Sequence, residues 1–256
     1  MNGANGQSEK DFDELVALNS KFEQQLNELN KGKQSNTATS SSQKTPWYAP
    51  KRLLLAMFLL VTSILIPFIV LVRTSVYMYL GQGLNGWVAL AVGVLATVVL
   101  LMGYALLGSY AFSKSLSVHR YLVRGVLVLV MAFTLYGLLY YSSMNTKTEM
   151  VGDYYRSLHP IMRVALTTIT LADSDLVVTD IRREPADYDR MGLSENEQSL
   201  HYVQADGYVH AVDLRTRGRA EWKNLVRRAA FYVVGLSSIR HVGTADHLHI
   251  YLPLNE

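Results

Sequence analysis

The sequence predicts a three-helix transmembrane anchor followed by an α+β domain with a small antiparallel sheet. Three observations support this fold class: long apolar runs in the middle of the chain, a polar stretch before them, and interleaved helix and strand patterns after them. They divide the chain into residues 1–46, a cytoplasmic amphipathic helix with a flexible linker, residues 47–144, the anchor, and residues 145–256, an extracytoplasmic domain.

The N-terminal segment has a helical pattern over residues 11–30. Its apolar residues recur at intervals of three and four, which is typical of an amphipathic helix. The stretch "QSNTATSSSQKT" that follows is polar and aperiodic, so we expect a flexible linker. The apolar face predicts a cytoplasmic protein partner, or else a marginal helix that lies loosely on the membrane surface.

Three apolar runs without charge predict the membrane helices. They are Leu53–Val72, Trp87–Leu107 and Gly125–Tyr141. Because a helix needs about 20 mostly apolar residues to cross a bilayer, the first two runs are long enough, and the third reaches this length with its flanking residues. Tyr and Trp residues crowd the ends of the runs, where amphipathic rings favour the membrane–water boundary.

Basic residues predict the orientation of these helices. They flank the first run and fill the loop between the second and third runs: Lys44, Lys51, Arg52, Lys114, Arg120 and Arg124. The loop between the first and second runs has only Arg73. Since positively charged loops stay in the cytoplasm, the N-terminus is expected there. Three crossings of the membrane then put the C-terminal domain in the periplasm or outside the cell.

The C-terminal domain shows helix and strand patterns without a βαβ rhythm. Pro160 must lie in the first turn of its helix or kink it, and Asp206-Gly207 predicts a two-residue hairpin turn within 199–214. The chain has no cysteine, which excludes disulfides and cysteine-ligated metals. The remaining expected elements are a helix at 153–170, a strand at 175–181, a loop at 182–198, a helix at 218–236, and two closing strands, "IRHV" and "HLHIYLPL".

Five of the seven histidines lie between His201 and His249. The predicted hairpin would bring His201 close to Asp213 or, in the other register, to Val212. In the strand "DHLHI", the side chains of His247 and His249 share one face. Two histidines and an aspartate form a donor set that suits zinc with an open position for water.

Three segments, Ser199-Leu200-His201, Ala211-Val212-Asp213-Leu214 and Asp246-His247-Leu248-His249-Ile250, resemble the zinc D,D-peptidase family. This family includes zinc D-Ala-D-Ala carboxypeptidases, vancomycin-resistance dipeptidases and phage endolysins, and the resemblance covers residues 153–254. It implies a zinc-peptidase-like fold, with His201, Asp213 and His249 as Zn²⁺ ligands. It also implies Asp246 as the general base. An arginine is expected near the substrate's carbonyl or carboxylate; Arg182 matches this position, with Arg183 as a close rival.

The spacing of the first ligand departs from the family pattern. Eleven residues separate His201 from Asp213, whereas six are usual in the family, so a longer hairpin is expected between them. This insertion makes His210 an alternative first ligand. His247 is expected in contact with the ligands or the substrate rather than as a ligand.

The predicted function is that of a membrane-anchored zinc peptidase acting on peptidoglycan stem peptides at a D-amino-acid bond, as carboxypeptidase or endopeptidase. The alternative is a catalytically weak or inactive domain that binds cell wall and anchors a membrane assembly. Expected partners are the peptidoglycan peptide and the lipid bilayer, with a cytoplasmic protein at residues 11–30 as a further candidate and no nucleic acid.

Overall fold

The computed structural model describes residues 17–29, 31, 49–112, 116–192, 194, 196–243 and 246–255. The chain divides into two compact units, Met1–Phe58 and Leu59–Glu256. In the first unit, helix α1 covers residues 17–29, which confirms the helical prediction for this part of the segment. Its apolar residues at intervals of three and four are exposed: Leu18, Phe22, Leu26 and Leu29. Residues 11–16 and 30 and the predicted linker lie outside the described residues.

The longest helices in the described part of the chain are α2 (Ala49–Gln82), α3 (Gly86–Phe112) and α4 (Leu116–Leu139). Within the described residues, two segments, Leu53–Gln82 and Gly86–Gly108, are long and apolar enough to cross a membrane. The apolar part of α4, Val123–Leu139, is shorter. Two candidate spans therefore agree with the prediction, and the third crossing stays a prediction.

The ends of these helices belong to the core of the C-terminal domain. The described side chains of α2 are mostly exposed between Leu53 and Leu65, and one side of the helix is buried beyond that: Leu71, Val72, Ser75, Val76 and Tyr79. The buried core also takes in Leu90 near the start of α3 and Leu138 at the end of α4. One hydrophobic core therefore crosses the boundary predicted near residue 145, so the domain is packed directly on the helix ends.

Helices α2 and α3 approach each other closely at Gly93. A Cβ atom at this position would overlap the Ser75 hydroxyl and the Leu71 carbonyl oxygen of α2. Ser75 is fully buried and donates a hydrogen bond to the same carbonyl, at 2.7 Å. A small residue is thus required for this contact, as is common where membrane helices pack.

The rest of the chain forms short helices around a small sheet. In the described residues the sheet has four antiparallel strands in the order β1-β2-β4-β3. Together with the long helices, this makes the chain mostly helical with a small antiparallel sheet. Short 3₁₀ turns lie before and after α5, and the elements are α5 (Glu149–Asp153), α6 (Pro160–Ala172), β1 (Val178–Asp180), α7 (Pro185–Met191), β2 (Ala211–Arg215), α8 (Glu221–Val233), β3 (Ser237–His241) and β4 (His247–Tyr251).

Proline marks the start of two helices in this domain. Pro160 opens α6, which confirms its expected place in the first turn, where the missing N–H costs no hydrogen bond. Pro185 opens α7, inside the segment predicted to be a loop. The side chains of Glu184 and Asp187 accept hydrogen bonds from each other's backbone and so cap α7. The loop prediction was therefore wrong for this stretch.

The predicted hairpin over 199–214 was also wrong. The chain reverses at Gly207, but the two arms form one isolated β-bridge, Val203–Val209, and a backbone hydrogen bond from His210 to Leu200 instead of a β-ladder. Strand β2 instead pairs with β1 on one side and β4 on the other. β2 is therefore hydrogen-bonded to a strand on each side. This pairing is favoured because it buries Val212 and Leu214 in the core.

Alternation along the strands separates two faces of the sheet. Leu248 and Ile250 of β4 are buried in the core together with Phe231 of α8. His247 and His249 lie on the opposite face, because successive side chains of a strand point to opposite sides. Asp213 of β2 is paired directly with His249, so the two share this face. The candidate site is built on it.

Candidate metal centre

Three predicted ligands converge on one face of the sheet. His249 Nδ1 lies 2.8 Å from Asp213 Oδ1. His201, from the loop before β2, places Nε2 at 3.3 Å from the same carboxylate oxygen and at 3.2 Å from His249 Nδ1. His201 and Asp213 are buried and His249 is partly exposed, so the cluster opens to one side.

The three atoms have the spacing of ligands around one metal ion. With bonds of about 2.0–2.1 Å, neighbouring ligand atoms of a tetrahedral zinc site lie about 3.3 Å apart. His201 Nδ1 is 2.6 Å from the carbonyl oxygen of Ile181. A ring N–H donated to this carbonyl leaves the lone pair of Nε2 directed at the cluster, which is the arrangement found in metal-binding histidines. The residues therefore fit a metal ion.

Charges around Asp213 keep it ionised. Burial raises the pKa of this carboxyl, but the neighbouring imidazoles of His201 and His249 outweigh burial and lower the pKa. Arg183 Nη2 also lies 2.6 Å from Asp213 Oδ2, and its Nε lies 2.5 Å from Asp180 Oδ2. Burial lowers the pKa of this guanidinium, but the two carboxylates raise it by more than burial lowers it. The arginine therefore stays charged. A deprotonated carboxylate is the form that binds a metal.

The cluster forms part of the wall of a cavity of about 630 Å³. Two more histidines line it. His247 Nε2 is 3.6 Å from Asp213 Oδ2, and the His241 ring stacks on His247 with centroids 4.8 Å apart. Burial and the neighbouring His247 lower the pKa of His241. A cavity of this volume can hold a small peptide fragment beside the cluster.

Asp246, predicted as the general base, lies away from the cluster. Its carboxylate pairs with Arg240 through two contacts, at 3.1 and 2.9 Å. Arg240 is the strand partner of Leu248, on the core side of the sheet. Three residues separate Asp246 from His249, and an odd spacing on a strand puts two side chains on opposite faces. The geometry therefore does not support Asp246 as the base.

Arg182 also lies away from the cluster. Its Nη2 is 3.2 Å from Glu184 Oε1, and its guanidinium lies over the ring of Tyr154. The neighbouring Arg183 is the residue that lines the cavity and contacts Asp213. Consecutive side chains in extended backbone point in opposite directions, so only one of the two arginines can face the site. Arg183 is the one that faces the cavity.

His210, the alternative first ligand, lies in a second cluster with His159 and Asp206. His210 Nε2 is 2.9 Å from Asp206 Oδ2, and His159 Nε2 is 3.9 Å from the same oxygen. His159 Nδ1 accepts a hydrogen bond from the N–H of Ile161 at 3.3 Å, so its Nε2 carries the ring proton. Burial and His210 lower the pKa of His159 to about 3. The cluster is thus a hydrogen-bonded network around a neutral His159.

This network holds the inserted turn against α2 and α3. The hydroxyl of Tyr208 accepts a hydrogen bond from Trp87 Nε1 of α3 at 2.9 Å. The ring of Tyr79 in α2 lies 4.9 Å from that of His159. A Cβ atom at Gly86 would overlap the His159 ring, so backbone and imidazole are in direct contact there. The insertion is packed on the helix ends and does not fold over the metal cluster.

Sequence reasoning missed Tyr188, which positions His201. The Tyr188 hydroxyl donates a hydrogen bond to Ser199 Oγ at 2.7 Å. Ser199 Oγ in turn accepts from the backbone N–H of His201 at 3.3 Å. Tyr188 lies on α7, in the segment expected to be a loop. The Pro185 and Asp187 pair was the available signal, because proline at the first position and an acid at the third favour a helix start.

Comparisons of the chain with protein-family models, curated proteins and solved structures find no match. What can be inferred about function therefore comes from the residues themselves. They provide a donor set of two imidazoles and one carboxylate, an open cavity beside it, and a domain packed on two apolar helices.

Proposed function

We propose that the chain is a membrane-anchored zinc peptidase that hydrolyses peptidoglycan stem peptides at a bond next to a D-amino acid. The observation that carries the proposal is the convergence of His201, Asp213 and His249 at the wall of an open cavity. Two imidazoles and one carboxylate form a donor set of catalytic zinc sites, which keep one position open. The resemblance of the same three residues to the zinc D,D-peptidase pattern supports the substrate class.

The cluster would give zinc a catalytic role, and neighbouring groups hold two of its ligands in place. Zinc at this position would lower the pKa of a bound water from 15.7 to about 7 and polarise the scissile carbonyl. The Ile181 carbonyl fixes the ring of His201, and Arg183 fixes the carboxylate of Asp213. Such supporting contacts hold metal ligands in position, and their loss typically costs about 10–100-fold in metal affinity or activity.

We assign the general base to His247. Its side chain lies on the same sheet face as His249, with Nε2 3.6 Å from Asp213 Oδ2, and it lines the cavity. A neutral imidazole there can take a proton from water and return it to the leaving amine. Arg183 faces the same cavity, and an arginine has five N–H donors, so those not used on Asp180, Asp213 and Tyr188 can pair with a substrate carboxylate.

We predict that His247→Gln lowers kcat by about 10²–10⁴-fold, the usual contribution of a general base, and leaves zinc bound. Asp246→Asn removes a charge that pairs with Arg240 and hydrogen-bonds Thr216 on the other side of the sheet, so we expect kcat within about 3-fold of wild type. Steady-state kinetics and zinc content of the full-length variants in detergent measure both effects. A large loss of kcat with Asp246→Asn and none with His247→Gln would show that Asp246, and not His247, is the general base.

The membrane topology forms part of the same proposal. Helices α2 and α3 would cross the bilayer with the N-terminus in the cytoplasm, and α4 would supply the third crossing. The C-terminal domain would then lie outside, where peptidoglycan is. Helix α1 would present its apolar residues to a cytoplasmic protein.

The direct test is hydrolysis of muropeptides by the full-length protein in proteoliposomes. We expect products shortened at a D-amino-acid bond, identified by mass. Hydrolysis should stop when a chelator removes the metal and return when Zn²⁺ is added. Absence of cleavage by protein that binds about one zinc per chain would contradict the proposal.

One observation favours a second function, binding to cell wall without hydrolysis. Asp246 and Arg182, which the zinc D,D-peptidase pattern would place at the reaction centre, both lie away from the cavity. In that case the domain would hold zinc and bind peptidoglycan while its helices anchor a membrane assembly. Pull-down of the full-length protein by intact sacculi, with zinc present and no muropeptide cleaved, would support this function.

A further inference from the structure

Helix α8 carries its apolar residues on the outside. Trp222, Leu225, Val226, Tyr232 and Val233 are 48–76% exposed, and their spacing puts them on one side of the helix. We refer to these five residues as the α8 apolar face. The buried side of α8 holds Phe231 and two polar residues, Asn224 and Arg227. This is the reverse of a surface helix that buries its apolar stripe.

Contacts on the buried side fix this orientation. Arg227 is 2% exposed, and its Nε donates to Asp173 Oδ2 at 2.8 Å. Its Nη1 also donates to the carbonyl of Arg215 at 3.2 Å. If α8 rolled to bury the apolar face, it would break these hydrogen bonds and expose Phe231. The folded domain therefore keeps the α8 apolar face exposed.

The C-terminal end of α8 packs on α2 close to the end of the apolar run Leu53–Val72. Gly235 follows α8 and packs on α2: a Cβ atom there would lie 2.9 Å from Arg73 Nη1 and 3.0 Å from Val76 Cγ1. Arg73 is the first charged residue after the uncharged run Leu53–Val72, and it marks one end of the predicted span. Tyr232 and Val233, just before Gly235, lie beside this boundary.

The chemistry of the exposed surface of α8 fits the membrane–water interface. Trp222 and Tyr232 are the two aromatic residues of the face, and such rings favour the headgroup region. Lys223 and Arg228 flank the face and are also exposed, and basic flanks attract anionic lipids. Large exposed apolar patches on folded domains mark binding surfaces, and this one adjoins a helix apolar enough to span a membrane.

We propose that the α8 apolar face lies in the headgroup region of the bilayer that α2 spans. The proposal rests on the membrane anchoring of α2 and is independent of any peptidase activity. The partner is an anionic lipid surface. The domain would then be held to the membrane both by its helix ends and by α8, which fixes the height of the cavity above the bilayer.

Nitroxide labels at single cysteines test this contact, because the native chain has no cysteine. Leu225→Cys and Tyr232→Cys report on the face, Leu60→Cys on the exposed side of α2, and Val242→Cys on an 83% exposed apolar side chain in the loop between β3 and β4. The full-length variants are placed in vesicles of phosphatidylcholine and phosphatidylglycerol. Electron paramagnetic resonance then compares the access of oxygen, which enters lipid, with that of a water-soluble nickel chelate.

We expect the labels at Leu225 and Tyr232 to favour oxygen, as at Leu60, and the label at Val242 to favour the nickel chelate. Nickel access at Leu225 and Tyr232 equal to that at Val242, with Leu60 still protected, would overturn the contact and leave the anchor intact. Nickel access at Leu60 as well would overturn the anchor itself. Dipolar broadening between labels on α8 would show that a second copy covers the face, which would also overturn the proposal.

Discussion

Replacing His249 with alanine should remove the metal and abolish hydrolysis, whereas the same change at His210 should leave both intact. Both histidines lie within four residues of an aspartate in the sequence, so local composition does not separate them. Their hydrogen bonds do. His249 meets Asp213 and the free lone pair of His201, whereas His210 meets Asp206 and a His159 whose Nε2 already carries a proton.

The expected size of the effect follows from the ligand set. Without His249 two ligands remain, too few for the three protein ligands of a catalytic zinc site. Zinc content should fall from about one per chain to near zero. Hydrolysis should fall by about 10³-fold or more, because water without the metal keeps a pKa of about 15.7. Elemental analysis and muropeptide kinetics of the full-length protein measure the two quantities.

The His210→Ala variant controls for the loss of a buried imidazole. It removes a contact to the Leu252 carbonyl at 3.2 Å and one to Asp206, so some loss of thermal stability is expected. Circular dichroism checks that both variants are folded. Loss of zinc from His210→Ala and its retention in His249→Ala would place the metal at the second cluster and reject the site described above.

Local patterns were enough to predict much of the fold. The intervals in α1, the apolar runs of α2 and α3, and the alternation in β4 each depend on residues close in sequence, so they can be read directly. The pairing of β2 with β4 joins residues more than 30 positions apart. The hairpin prediction failed because a strong local turn signal at Asp206-Gly207 does not reveal which distant strand competes for β2.

The candidate site was also predictable only in part from local sequence. Grouping His201, Asp213 and His249 needed the resemblance, since their contacts are long-range. The position of Asp246 could have been deduced from sequence, because strand alternation already sets it opposite His249. The choice between Arg182 and Arg183 depends on how the chain leaves β1, and the network around His159 depends on packing against Gly86 of α3. Neither has a local sequence signal.

A second large effect is expected in the helix pair, where Gly93→Ala should destabilise the protein and Gly103→Ala should not. The two glycines lie on the same helix, α3. At Gly93 an added methyl group would overlap the Leu71 carbonyl, which is backbone and cannot rotate away, as well as the Ser75 hydroxyl. At Gly103 a Cβ atom would meet no atom of the described residues within 4 Å.

Overpacking of this kind typically costs about 1–3 kcal/mol, occasionally more. For a chain of this size we expect a Tm about 2–12 °C lower for Gly93→Ala. Gly103→Ala should leave Tm unchanged or raise it slightly, because alanine favours a helix by about 1 kcal/mol over glycine. Thermal unfolding of both full-length variants in detergent, followed by circular dichroism, makes the comparison. Equal Tm values would mean that α2 and α3 are not in contact at Gly93.

The effect of Gly93→Ala should extend beyond the helices. Leu71 of α2 and Leu90 of α3 flank this contact and belong to the same core as Leu248 and Ile250, which support the face that carries His249. If α2 and α3 move apart, that core must repack. We therefore expect Gly93→Ala to weaken zinc binding as well as stability, although the substituted residue lies outside the site. Unchanged zinc affinity together with a lowered Tm would show that the helices and the site are energetically independent.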